Sequence, residues 1–215
     1  MIDYQHTYNH EFKIENYTNK TEEFSQRQLF NYLYSRFPKG LDFSDDTLFL
    51  MVTNKLYKKQ VLVDLSFPSY KLSEDLYFNN LVFLRVKGAI FIKEKLYYYF
   101  QRTDSISHVI NRNYIEGLQA YWDSLNNIPL DKKEFRAACL SKLYKIILRT
   151  KYRMKNIPNK KGIDDIIKNI EKQTIKEMRL SKFIPFHMKL FFILCCQFPF
   201  LYNWFVSLCE LKVKI

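Results

Sequence analysis

Glycine is nearly missing from this chain: 4 in 215 residues. Tight-turned all-β folds and glycine-rich phosphate cradles both depend on it, so both are disfavoured. No G-x-G-x-x-G and no P-loop pattern occurs. Cysteine is sparse as well. Cys139, Cys195, Cys196 and Cys209 form no C-x-x-C, and three of them lie in the most hydrophobic stretch. That excludes a disulfide framework or zinc site as the organising element and predicts buried, reduced thiols in a cytosolic compartment. The opening residues MIDYQHTYNHEF contain neither a basic n-region nor an apolar h-region, so no secretory signal is expected there. His6 and His10 have i, i+4 spacing but no evident third ligand, and no metal site is expected from them. Internal repeats and low-complexity tracts are also missing.

What is present is apolar and basic. Hydrophobic residues make up 47% of the chain and aromatics 17%, so a real core can form in one domain or a domain plus an appendage. The net charge is +12, and its placement matters more than its size. Residues 1–130 hold 15 basic and 15 acidic side chains; the remaining 19 basic and 7 acidic ones carry the whole excess. A one-sided excess of this kind points to an anionic partner, either nucleic acid or a lipid surface. No recognised DNA- or RNA-binding motif supports the first, so a nucleic-acid partner is not expected.

The pattern along the chain predicts an α/β fold. MIDYQ reads as a short strand or its tail. TNKTEEFSQRQLFNYLYSRF reads as a helix capped by Asn19 or Thr21, with Glu22 and Glu23 in its first turn. Its buried face is expected at Phe24, Phe30, Leu33, Tyr34 and Phe37. Ser73 is expected to cap a helix with apolar positions Leu76, Leu81, Val82 and Leu84, broken by Gly88. AIFI and KLYYYF then read as two strands. From Asn113 onward the pattern is helical. Phe135, Cys139, Leu143, Ile146 and Ile147 mark one helix, and Ile163, Ile166, Ile167 and Ile170 mark the next. Asp164 and Asp165 open that second helix, and Arg179 and Lys182 close it, as the helix dipole favours.

Leu190–Cys209 holds no charged residue across 20 positions, which is the length of a membrane span. Pro199, Gln197 and Asn203 interrupt it. It reads as two short amphipathic helices lying in a membrane interface, with a true span and a soluble core as the other readings. The expected organisation is therefore 1–112, 113–182 as a basic helical region, and 183–215 as hydrophobic, membrane-associated helices.

Four boxes occur in one order: TNKLYKKQVLVDLSFP, SEDLYFNN, EKLYYYF and QRTDSISH. This series resembles the C-terminal half of family-2 glycosyltransferases, the bacterial enzymes that build capsular, O-antigen and other surface polysaccharides. The resemblance covers residues 1 to about 110. It implies the acceptor-side part of a GT-A-like domain and sugar transfer from a nucleotide-sugar donor to a glycan or lipid-linked acceptor. It places the chain on the cytoplasmic face of the bacterial inner membrane, as a peripheral protein. Asp75 would be the catalytic base and Glu74 its neighbour, orienting the acceptor or the base. Lys55 would face the diphosphate. Arg102, Ser105 and His108 would lie on a loop closing over the donor phosphates. The family also implies a divalent metal, Mn or Mg, held by an Asp-x-Asp. This chain has none; DFSDD, with Asp42, Asp45 and Asp46, has the wrong spacing. The resemblance thus implies a chain lacking the N-terminal nucleotide-binding half and inactive alone, either a gene fragment or the complement of a separately encoded half; a homo-oligomer is the other partner expected. The rival reading is a non-catalytic membrane-associated binding or scaffold protein that keeps only the fold. Without the flanking boxes, Glu74 and Asp75 are ordinary acids of a helix first turn, contributing about 0.3–1 kcal/mol each.

Overall fold

The computed structural model describes residues 2–7, 21–34, 50–100, 113–155 and 162–204, with backbone alone at 2–7 and 93–100. Among the described residues three strands and six α-helices follow one another: β1 (Ile2–Thr7), β2 (Thr21–Ser25), α1 (Gln26–Leu33), α2 (Glu74–Arg85), β3 (Gly88–Phe100), α3 (Asn113–Asn127), α4 (Lys133–Met154), α5 (Ile163–Leu180) and α6 (Phe186–Gln197). The fold is mixed α and β, with helix predominating.

The sheet has the order β1-β3-β2. β3 is one strand of 13 residues rather than the two expected from AIFI and KLYYYF. Its first half pairs antiparallel with β2, from Gly88↔Ser25 to Ile92↔Thr21. Its second half pairs in parallel with β1, ending at Phe100↔Thr7. Both partners meet β3 at Ile92, and the register of β1 shifts across the charged Lys93-Glu94-Lys95 stretch. Gly88 does not merely break the preceding helix. A Cβ there would sit 2.4 Å from the Phe24 carbonyl oxygen, so only glycine lets the two backbones meet.

The expected helix from Thr21 is also corrected. Thr21–Ser25 is a strand with Phe24 alone turned inward. The helix begins one turn later, because Ser25 and Gln28 form a capping box: Gln28 N–H donates to Ser25 Oγ at 3.3 Å, and Ser25 N–H donates to Gln28 Oε1 at 2.9 Å. Gln26 then ties α1 to the end of α2, its side-chain amide donating to the Phe83 carbonyl at 2.8 Å. Phe37 lies outside the described residues.

Leu29, Phe30, Leu33 and Tyr34 are wholly buried and form the centre of one continuous core reaching from Phe24 to Cys195. Phe30 stacks on Phe135 of α4 at 4.2 Å between ring centroids. Cys139, Leu143 and Ile147 of α4 are buried as the periodicity predicts, while Phe135 and Ile146 pack at the margin. On α5 the inward face is Ile163, Ile167, Ile170 and Met178; Ile166 is exposed. Arg179 lies in the last turn of α5, whereas Lys182 falls beyond its cap at Ser181. Arg136 closes α3: its guanidinium donates to the Leu125 and Ile128 carbonyls at 2.9 and 2.8 Å and pairs with Glu177 at 2.5 Å. α6 ends at Gln197, and a second helical turn occupies 199–204, so Pro199 divides the hydrophobic stretch as expected. Among the described residues no helix is long and apolar enough to cross a membrane.

Candidate functional site

Lys55 and Asp75 are twenty residues apart in different boxes, and the fold brings them to the same place. The 50–57 segment runs across the N-terminal end of α2. It is pinned there by Asn79, whose amide donates to the Leu50 carbonyl at 2.6 Å and whose Oδ1 accepts from the Tyr57 hydroxyl at 2.9 Å. The next residue, Asn80, faces the other way. It accepts from the Tyr34 hydroxyl at 2.6 Å and donates to the Ser124 carbonyl at 3.2 Å. Both asparagines are wholly buried, so each polar group needs these partners. The pair therefore fixes α2 between the loop that carries Lys55 and the helices beneath.

Ser73 starts α2, but not as expected. Its backbone is left-handed, with φ of 64°, and its hydroxyl makes no capping bond. A left-handed non-glycine residue costs about 1–2 kcal/mol, and it sets the direction in which the helix leaves the loop. Gly117 of α3 allows this close passage, since a Cβ there would lie 3.3 Å from Leu72 Cβ and Ser73 Oγ.

Asp75 Oδ2 accepts from the Val52 backbone N–H at 3.3 Å. The Lys55 ammonium donates to Asn54 Oδ1 at 2.9 Å and to the Met51 carbonyl. Burial pushes the Lys55 amine down from 10.5 to about 7, against the pull of the Asp75 charge. Burial likewise raises Asp75 above the usual carboxylate range, opposed by the Val52 hydrogen bond and by Lys55. Glu74 is raised mainly by burial too, with its own backbone N–H acting the other way and Asp75 adding to the rise. The helix dipole favours the charged form of these acids, and burial acts against it. Tyr57 is held well above its ordinary value by burial and by Asp75.

The result is a half-buried amine and a carboxylate, each displaced toward its neutral form, beside a second carboxylate and a buried asparagine. Opposed displacements of this kind suit proton transfer near neutral pH. Arg102, Ser105 and His108 lie outside the described residues, as do Asp42, Asp45 and Asp46. Among the described residues no three His, Cys, Asp or Glu side chains are grouped to hold a metal ion. Sequence reasoning missed Asn54, Tyr57, Asn79 and Asn80. The signal for the last two was there: two adjacent amides inside an apolar helix must find partners.

No family model, curated protein or solved structure matches the chain.

Proposed function

We propose that this chain is the acceptor-side part of a family-2-type glycosyltransferase and that Asp75 is its base. The observation that supports this most is the meeting of Lys55 and Asp75, from separate boxes, at one helix end. In an inverting transfer the acceptor O–H proton goes to the Asp75 carboxylate as that oxygen bonds to the anomeric carbon. The bond from that carbon to the nucleoside diphosphate breaks, and its electrons leave with the diphosphate. A carboxylate raised toward neutrality is a stronger base for this step. Glu74 orients the acceptor, and Lys55 faces the donor diphosphate. The family's divalent metal does not fit the residues present, since the sequence contains no Asp-x-Asp. Arg102, Ser105 and His108 complete the donor side in this reading.

The chain docks on the anionic inner-membrane surface through the end of its helical part. Leu180, Phe183, Phe186, Leu190, Phe198, Phe200 and Trp204 are all exposed there, beside Arg179, Lys182 and Lys189. Exposed aromatics with flanking cations are the signature of an interfacial surface.

A bacterial glycan array tests the acceptor reading with the wild type, Asp75→Asn and Lys55→Met. Binding to a defined glycan that falls roughly tenfold in Asp75→Asn supports an acceptor site built on this carboxylate. Equal binding by all three proteins, or none by the wild type, removes the reading and favours a scaffold.

A further inference from the structure

On the side of the helical part formed by α4, α5 and the 199–204 turn lies a cavity of about 240 Å³. Neither the Asp75 site nor the transfer reaction uses it. Its buried lining is apolar: Leu148, Met154, Ile167 and Cys195, with Pro199 at the exposed edge. Its rim is cationic: Lys151, Lys155 and Lys168. Tyr152 and Tyr202 form a wall, their rings edge to face at 6.2 Å. The Lys155 ammonium lies 4.3 Å from the Tyr152 ring centroid. Arg153 does not line the cavity; its guanidinium donates to the Tyr114 hydroxyl and lies 5.2 Å from that ring's centroid.

The charges do not balance locally. Lys151 pairs with Glu171 at 2.7 Å, and Asp164 is the acid on the rim. Among the described residues three lysines thus line this apolar hollow, against Asp164 on its rim and Glu171 paired with Lys151. An anion with an apolar portion complements this arrangement. Size limits the choice further. The cavity is smaller than the roughly 300–1,000 Å³ of sites that enclose a whole small molecule. It accommodates a headgroup, and the rest of such a ligand must leave it. The exit is built: the short helix that supplies Pro199 and Tyr202 to the cavity exposes Phe198, Phe200 and Trp204 alongside.

We propose that this cavity binds the phosphate headgroup of a single anionic lipid, with the lipid's hydrocarbon chain running out along the 198–204 aromatics. The site deepens the membrane-docking reading and is independent of the transferase reading. Docking by general charge attraction needs no cavity. A headgroup site adds a saturable, one-to-one contact that fixes the orientation of the bound protein.

Calorimetry on the full chain tests this, using a short-chain phosphatidic acid below its micelle-forming concentration. Matched short-chain phosphatidylcholine and inorganic phosphate are the comparison ligands. The site variant is Lys155→Glu with Lys168→Glu, both exposed positions that leave the core untouched. The control is Lys132→Glu with Lys133→Glu, of equal charge change, at the other end of α4 about 33 Å away. A third variant, Asn203→Trp, blocks the cavity edge without a charge change. The expected result is one-to-one binding of phosphatidic acid, weakened roughly tenfold or more by the site pair and by Asn203→Trp but not by the control. Phosphatidylcholine and inorganic phosphate bind far more weakly. Equal weakening by site and control pairs, or equal affinity for phosphatidylcholine, overturns the proposal. So does inorganic phosphate binding as tightly as the lipid, which makes the site a free-phosphate site. Binding to anionic vesicles without any binding of the short-chain lipid also overturns it, and leaves surface docking standing.

Discussion

Lys55 should make the stability of this protein rise with pH in a range where most proteins are flat. In the unfolded chain its amine has the ordinary value of 10.5; in the folded chain it is about 7. Between those values the unfolded state binds the extra proton, so removing protons favours the folded state. From about pH 7 to about pH 8.5 this one group adds at most roughly 1.5 kcal/mol, less what solvent screens at a half-buried ammonium. Lys55→Met removes the titration. It also leaves the Met51 carbonyl and Asn54 Oδ1 without this donor, so its absolute stability is a poor readout. The slope is the readout. Urea unfolding of both proteins at several pH values across the window should give a rising stability for wild type and a flatter line for the variant. Cys139 and the buried tyrosines titrate at higher pH and are common to both proteins. Parallel lines would refute the claim that burial suppresses the Lys55 charge.

Three further outcomes follow from the packing. Arg136→Met should destabilise the protein by about 3–5 kcal/mol, because Glu177 and two carbonyls at the end of α3 lose their shared partner; chemical denaturation measures it. Gly88→Ala should cost about 1–3 kcal/mol, since the new Cβ meets the backbone of Phe24 rather than a movable side chain, and amide exchange in β2 should quicken with it. Burial pushes the Cys139 thiol up to about 12, so it should stay unlabelled by a thiol reagent at mildly alkaline pH until the protein unfolds. Labelling of Cys139 at the rate of an exposed thiol would contradict the packing of α1 against α4.

The parts of the fold that were legible are those where one periodicity runs long. The helices around Cys139, Leu143 and Ile147, and around Ile163, Ile167 and Ile170, follow directly from apolar spacing. The misread parts are those where two signals compete. Glu22 and Glu23 suit a helix first turn, yet they lie on a strand because the Ser25–Gln28 box starts the helix later. AIFI and KLYYYF read as two strands, yet β3 runs on through Lys93 and Glu94, with different neighbours pairing with its two halves. Such pairing involves residues some sixty to ninety positions away, which no local window contains. At the candidate site the boxes named Lys55 and Asp75 but could not bring them together. That depends on Asn79, whose contacts with Leu50 and Tyr57 exist only once the loop lies on α2. The upward shift of the Asp75 carboxyl has the same origin, since desolvation is a property of the assembled site.

The parallel pairing of β1 with β3 also sets a timetable. Ile2 meets Ile92, so about 90 residues must be synthesised before the first strand has its partner. At roughly 5–20 residues per second, β1 waits on the order of 5–20 s on the ribosome after it is made. The hairpin-like shortcut is closed to it, because a parallel partner cannot be reached by a tight turn. Helices α3 to α6, joined by short connections, have only near neighbours to find. β1 therefore finds its place only after the much later β3 has been made. A chaperone that holds extended segments near the ribosome exit would meet this protein at β1.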